Sequence, residues 1–142
     1  MPTRTANAVW EGGGIKTGKG TFKGQTGLSG QYNFSSRFES GPGSNPEELL
    51  AAAHASCYAM ALSVGLERAG KPPQKVTTDA AFTLDKVGEG FEITKIKLTV
   101  RASVPGMDDA TFQKIAQGTK EGCPVSKALK AVPVIELDAK LA

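Results

Sequence analysis

Hydrophobic positions along this chain follow two rhythms. Between Ser44 and Gly70 they recur every three or four residues, and from Val76 onward they alternate. Leu49, Ala53, Cys57, Met60 and Val64 form one stripe at helical spacing, widened by Leu50, Ala61 and Leu62. The helix has defined ends. Asn45 is an N-cap residue, Pro46 suits the first helical position, and Glu48 completes a capping box. Gly70 is a natural residue just past the last turn, and Pro72 secures the stop. So much apolar surface predicts a buried central helix. About 24 residues span about 36 Å, more than the radius of a compact domain of this size, so a second subunit is expected to cover part of it. The alanines permit close approach of another helix.

Alternation at Ala6, Ala8 and Trp10 predicts a first strand, with Ile15 to Lys23 as its hairpin partner across Gly12-Gly13-Gly14. Tyr32, Phe34 and Ser36 alternate and predict a short strand before the loop Ser40-Gly41-Pro42-Gly43. After Pro72-Pro73, the positions Val76, Thr78, Ala80, Phe82 and Leu84 share one face of a half-buried strand. The returning strand, Phe91 to Val104, changes parity: Phe91 and Ile93 are followed by Ile96, Leu98, Val100 and Ala102. Both sets reach one face only through an irregularity near Thr94-Lys95. Asp108 or Asp109 caps a helix to about Lys120, with Phe112, Ile115 and Ala116 inward. Gly122 ends it, Pro124 to Lys130 forms a short helix, and Val134, Ile135 and Leu137 close a sheet. The order predicts a single α+β domain with mostly antiparallel sheet.

Size and charge narrow the function classes. The 142 residues suffice for one core, and the net charge of +3 comes from interspersed acids and bases. No basic block or aromatic–basic interleaving points to nucleic acid. No signal peptide is evident, and no apolar run is read as long enough to cross a membrane, so a cytoplasmic location is expected. Two cysteines and one histidine argue against a disulfide scaffold and a zinc site. The glycine-rich turn lacks the strand–GxGxxG–helix pattern of a nucleotide site.

Chemistry concentrates on few residues. Cys57, mid-helix on an apolar stripe, is either a small core residue or a thiol that needs a nearby positive charge to ionise. Cys123, at a helix start, is better placed for a lowered pKa. Glu47 lies ten residues before Cys57, about 15 Å along one helix, so the two share a site only if Glu47 comes from a second subunit. His54, three residues before Cys57, is a packed histidine or the base of a cysteine hydrolase or transferase; packing is favoured, since no third group stands out to orient it. Arg37, flanked by Ser36 and Phe38, reads from the residues alone as a surface cation. Tyr58 and Phe38 are candidates to wall a pocket.

The run Asn45-Pro46-Glu47-Glu48-Leu49-Leu50-Ala51-Ala52-Ala53-His54-Ala55-Ser56-Cys57-Tyr58-Ala59-Met60-Ala61-Leu62 resembles the signature helix of the osmotically inducible protein C (OsmC) and organic hydroperoxide resistance family. Gly122-Cys123-Pro124-Val125-Ser126 is similar to that family's second cysteine motif. The likeness extends from Ala8-Val9-Trp10-Glu11-Gly12 to the last strand. Asn33-Phe34-Ser35-Ser36-Arg37-Phe38-Glu39 and Pro105-Gly106-Met107-Asp108 resemble the osmotically inducible subgroup.

This resemblance implies an OsmC-like fold in an intertwined homodimer and a thiol peroxidase acting on organic hydroperoxides, and more weakly on hydrogen peroxide. Cys57 would be the peroxidatic thiol and Cys123 the resolving thiol. Arg37 would hold the thiolate, and Glu47 would orient the arginine from the partner chain. The cycle would pass through a sulfenic acid and an intrachain disulfide, with no cofactor. An external dithiol, such as that of a lipoylated protein, would restore both thiols. The competing class is a stress or binding protein whose cysteines are structural.

Overall fold

Strand-forming residues in the first fifty positions are interrupted by glycines, and the structure shows what the glycines do. A computed structural model describes Met1 to Ala142. It forms two compact units, Met1–Leu49 and Leu50–Ala142. In the first unit, β1 (Ala6–Glu11), β2 (Lys19–Gly24) and β3 (Ser29–Tyr32) form an antiparallel sheet in chain order. Gly20 stands opposite Tyr32, and Gly30 opposite Phe22. A Cβ on either glycine would lie 2.4 Å from the facing ring. The glycines therefore make room for aromatic rings laid across the strands. Trp10 and Tyr32 stack with centroids 5.8 Å apart. The expected hairpin is present, but its second strand begins at Lys19 because residues 14–18 form a hydrogen-bonded turn. β1 is exposed throughout, so its alternation marks no buried face.

The strand expected through Phe34 and Ser36 stops at Tyr32. Asn33 instead caps a short helix, α1 (Phe34–Phe38). Its Oδ1 accepts the Ser36 N–H at 2.8 Å, and its own N–H donates to Ser36 Oγ at 2.9 Å. This reciprocal cap wins over the alternation, and it puts Phe34 and Phe38 four residues apart with ring centroids at 5.1 Å.

The long helix α2 (Pro46–Arg68) has the ends its sequence predicts. Asn45 Oδ1 accepts the Glu48 N–H at 2.8 Å. At the other end Lys71 N–H reaches the Leu66 carbonyl at 3.0 Å, and Gly70 N–H reaches that of Glu67 at 2.9 Å. Gly70 takes a φ of 79°, the left-handed conformation this ending requires.

The inward face of α2 differs from the expected stripe. His54, Tyr58, Leu62 and Leu66 are fully buried, whereas Met60 is 73% and Val64 38% exposed. Hydrophobicity alone did not separate two adjoining faces; the one carrying Tyr58 and Leu62 meets the sheet of the second unit. By length and composition α2 is also apolar enough to cross a membrane, contrary to the expectation that no such run exists. Alanines supply much of that character, and only 22% of the apolar window is buried in this chain.

The second unit carries the core. β4 (Lys75–Val87) and β5 (Gly90–Ser103) form a long antiparallel hairpin. The irregularity expected near Thr94 is present. Thr83 pairs with Lys95 but Leu84 with Ile93, leaving Thr94 extra, its hydroxyl donated to Asp85. Asp108 caps α3 (Asp109–Gly122), accepting the Thr111 N–H at 2.9 Å. α4 (Pro124–Ala128) follows, and β6 (Val134–Leu141) then pairs with β5 in parallel. The second sheet is thus mixed, while the first is antiparallel throughout, so the strands are mostly antiparallel as expected. The helical crossover through α3 and α4 returns the chain to the same end of the sheet, which makes a parallel pairing possible. Ile96, Leu98 and Val100 of β5 pack with Phe112, Ala116, Tyr58, Leu62 and Leu66. The architecture is α+β around a long central helix.

Leu62→Ala is expected to lower the unfolding free energy by about 2–5 kcal/mol, by opening a cavity in this core. Gly70→Ala should cost about 1–2 kcal/mol through the left-handed conformation alone. Urea unfolding at unchanged slope checks both.

Candidate active site

Three features of the sequence bring the two cysteines together. Gly122 ends α3, and the Cys123 N–H closes that helix on the Thr119 carbonyl at 2.9 Å. Pro124 then opens α4. Tyr58 donates its hydroxyl to the Ala116 carbonyl at 2.9 Å and so ties α2 to α3 one residue beyond Cys57. The result is a contact between Cys57 Sγ and Cys123 Sγ at 2.9 Å. Both are free thiols, Cys123 buried and Cys57 half-buried. A disulfide would need about 2.05 Å, so closing the bond requires less than 1 Å of approach.

The surroundings treat the two sulfurs differently. Burial pushes the Cys57 thiol up, its contact with the Cys123 thiol adds to that, and the Val125 N–H opposes it. Burial also works against ionisation of Cys123. Yet the polar groups around it, the Cys57 thiol, the N–H and hydroxyl of Ser126 and the Val125 N–H, together favour the thiolate and hold Cys123 below the usual thiol range. Both directions agree with the expectation from burial and from position at a helix start. Cys57 opens onto a groove of about 750 Å³ whose lining includes Met60, Val64, Ile115 and Arg68.

His54 does not act as a base on Cys57 here. Its Nε2 lies 2.7 Å from Ser126 Oγ, and its ring meets the Phe82 ring edge-on at 5.8 Å. This is the packed, hydrogen-bonded histidine that the sequence favoured. Ser126 drew no separate notice in the sequence; its signal was its place three residues beyond Cys123, on the first turn of a helix. Tyr58, a candidate pocket wall, is instead part of the core.

In the first unit, Arg37 of α1 and Glu47 of α2 form a clasp. Arg37 Nη2 lies 2.8 Å from Glu47 Oε1, and Nε lies 3.2 and 3.3 Å from the two carboxylate oxygens. Glu47 is buried, and the Arg37 guanidinium also covers the Phe38 ring at 5.3 Å. Arginine and glutamate are thus partners within one chain.

A family profile described as OsmC-like protein matches residues 39–138. The chain is 48% identical to peroxiredoxin OsmC of Escherichia coli (strain K12) over 139 residues, 96% of each chain. This chain belongs to the OsmC-like family. It is also 34% identical to the organic hydroperoxide resistance protein of Xanthomonas axonopodis pv. citri (strain 306) over 91 residues, 63% of this chain and 62% of that one. Its fold matches the crystal structure of an OsmC-like protein from Mycoplasma pneumoniae with a TM-score of 0.78 at 13% identity, covering 99% and 98% of the two chains. The stretch matched to the OsmC-like profile contains Glu47, Cys57 and Cys123, and Arg37 lies two residues before it.

Burial pushes the His54 pKa below its usual 6.5, so the folded state keeps the ring neutral. The unfolded chain binds that proton more readily. Stability from this group is therefore full above about pH 6.5 and falls as the pH drops below it, by at most about 1.4 kcal/mol per pH unit. Urea unfolding between pH 7.5 and 5.5 should show this loss, and His54→Gln should flatten it.

Proposed function

We propose that this protein is a cysteine-dependent peroxidase that reduces organic hydroperoxides, as the names of its relatives suggest for them. The observation that carries this reading is the pair of free sulfurs 2.9 Å apart. The Cys57 thiolate attacks one peroxide oxygen. A sulfur–oxygen bond forms, the O–O bond breaks, and the departing alkoxide takes a proton to become the alcohol. Cys123 then displaces hydroxide from the Cys57 sulfenic acid, closing a disulfide and releasing water. An external dithiol, such as a lipoylated protein, reopens it by exchange. The apolar lining of the groove suits the organic part of a hydroperoxide. A reducing cytoplasm is the setting in which two free thiols persist.

Cys57 needs a cation, because its own surroundings favour the thiol. Arg37 is the candidate, delivered by a second copy of the chain. Glu47 clasps Arg37 but sits ten residues from Cys57 along α2, about 15 Å. A clasp that moves as one piece reaches a cysteine of another chain. A further fact supports an intertwined homodimer: Met60 and Val64 leave one face of α2 bare. In this arrangement both units work as one peroxidase domain, completed by its copy.

Cys57→Ala is expected to abolish peroxide consumption. Cys123→Ala should allow one oxidation and then stall, with a trappable sulfenic acid on Cys57. Mass spectrometry after one equivalent of peroxide checks this; equal loss of the first oxidation in both variants contradicts the roles.

Arg37→Met should slow the first oxidation at neutral pH by at least about tenfold, as loss of a charge-assisted hydrogen bond does. Co-expressing Arg37→Met with Cys57→Ala should restore activity, since the mixed dimer rebuilds one site from two chains. Restoration failing in a demonstrated mixed dimer would place arginine and cysteine in the same chain.

A further inference from the structure

We propose that His54 and Ser126 form a hydrogen-bond relay that readies Cys123 for its attack on oxidised Cys57. The inference rests on the peroxidase reading and concerns its second step. His54 is a fully buried polar residue on the inward face of α2, where apolar side chains otherwise line the helix. Such a residue is retained where its hydrogen bonds are used. Its ring meets Phe82 from β4 and its Nε2 meets Ser126 from α4, neither of them charged.

The proton positions follow from satisfaction. His54 Nδ1 is buried and has no protein partner. A tautomer with its proton on Nδ1 would bury an unpaired donor, whereas a proton on Nε2 leaves only a lone pair there. Nε2–H therefore donates to Ser126 Oγ across the 2.7 Å contact. Ser126, itself 4% exposed, then keeps its single proton for another acceptor. Three residues back on the same turn stands Cys123, whose thiolate that hydroxyl favours.

The step balances. The Cys123 thiolate supplies an electron pair to the Cys57 sulfenic sulfur. The S–S bond forms, the S–OH bond breaks, and hydroxide leaves. The proton lost when Cys123 ionised converts that hydroxide to water, so one water is the only product. Cys123 sulfur is oxidised and the sulfenic sulfur reduced. Ser126 and His54 are positioning residues, since neither exchanges a bond with the reacting atoms.

The test uses the full-length protein and one equivalent of cumene hydroperoxide. Rapid quenching with a sulfenic acid trap, followed by mass spectrometry, gives the ratio of condensation to oxidation rate. Ser126→Ala and His54→Met should lower this ratio at least about tenfold, the scale of one hydrogen bond to a charged group. Ser126→Thr and His54→Gln, which restore a hydroxyl and an N–H donor, should recover it to within about threefold. Recovery by these conservative variants separates positioning from mere packing, and Ser126→Ala is small enough to test the relay even where His54→Met does not fold. An unchanged ratio in a folded Ser126→Ala overturns the relay. A fall in His54→Gln equal to that in His54→Met overturns it too, making histidine a base. A wild-type protein that forms neither sulfenic acid nor the Cys57–Cys123 disulfide overturns the peroxidase reading, and the relay with it.

Discussion

The distance between two sulfur atoms governs how this molecule is put together. Cys57 rides on a long helix, and Cys123 sits where two others meet. Holding them 2.9 Å apart demands that α2, α3 and α4 keep fixed positions on the second sheet. The Tyr58–Ala116 hydrogen bond fixes one crossing, and the His54–Ser126 bond fixes another. Both come from side chains on the inward face of α2, within four residues of Cys57. The same helix turn that exposes the thiol therefore also anchors it.

The sequence made the elements legible where local signals agreed. Asn45, Pro46, Glu48 and Gly70 marked both ends of α2, and the parity change between Ile93 and Ile96 marked the bulge at Thr94. It misled where two local signals competed. Aromatic alternation pointed to a strand through Phe34, but the Asn33–Ser36 cap turned that stretch into a helix. The inward face of α2 was misassigned for a related reason: alanines and cysteine are as compatible with a face awaiting a partner as with a core, so hydropathy could not rank Met60 below Tyr58. The parallel strand β6 had no signal of its own, because direction depends on where the crossover ends.

Of the candidate site, the cysteine pair was legible through two motifs far apart in the chain, and their meeting depends on tertiary packing. The Arg37–Glu47 clasp was legible only through family resemblance, since an exposed arginine beside a phenylalanine has no distinctive pattern. The unequal treatment of the thiols was legible in direction, from the mid-helix place of Cys57 and the helix-start place of Cys123, but the groups that produce it were not. Cys57 is surrounded by groups that keep its proton, Cys123 by groups that relieve it of one. In the proposed cycle each sulfur therefore has its own source of activation. There an arginine from another chain would serve the first, and neutral groups within the same chain the second.

Contact between the sulfurs also bears on durability. A sulfenic acid that meets a second peroxide advances to a sulfinic acid, which simple thiols do not reverse. In the proposed cycle that second peroxide arrives as a solute, at whatever concentration stress provides. The competing sulfur is already in place, and well-aligned intramolecular partners reach effective concentrations of about 10⁵ M or more. Capture within the chain is thus favoured over overoxidation by a second peroxide. The arrangement suits a scavenger that goes on working through a surge, in contrast to a sensor whose cysteine is meant to be silenced by one.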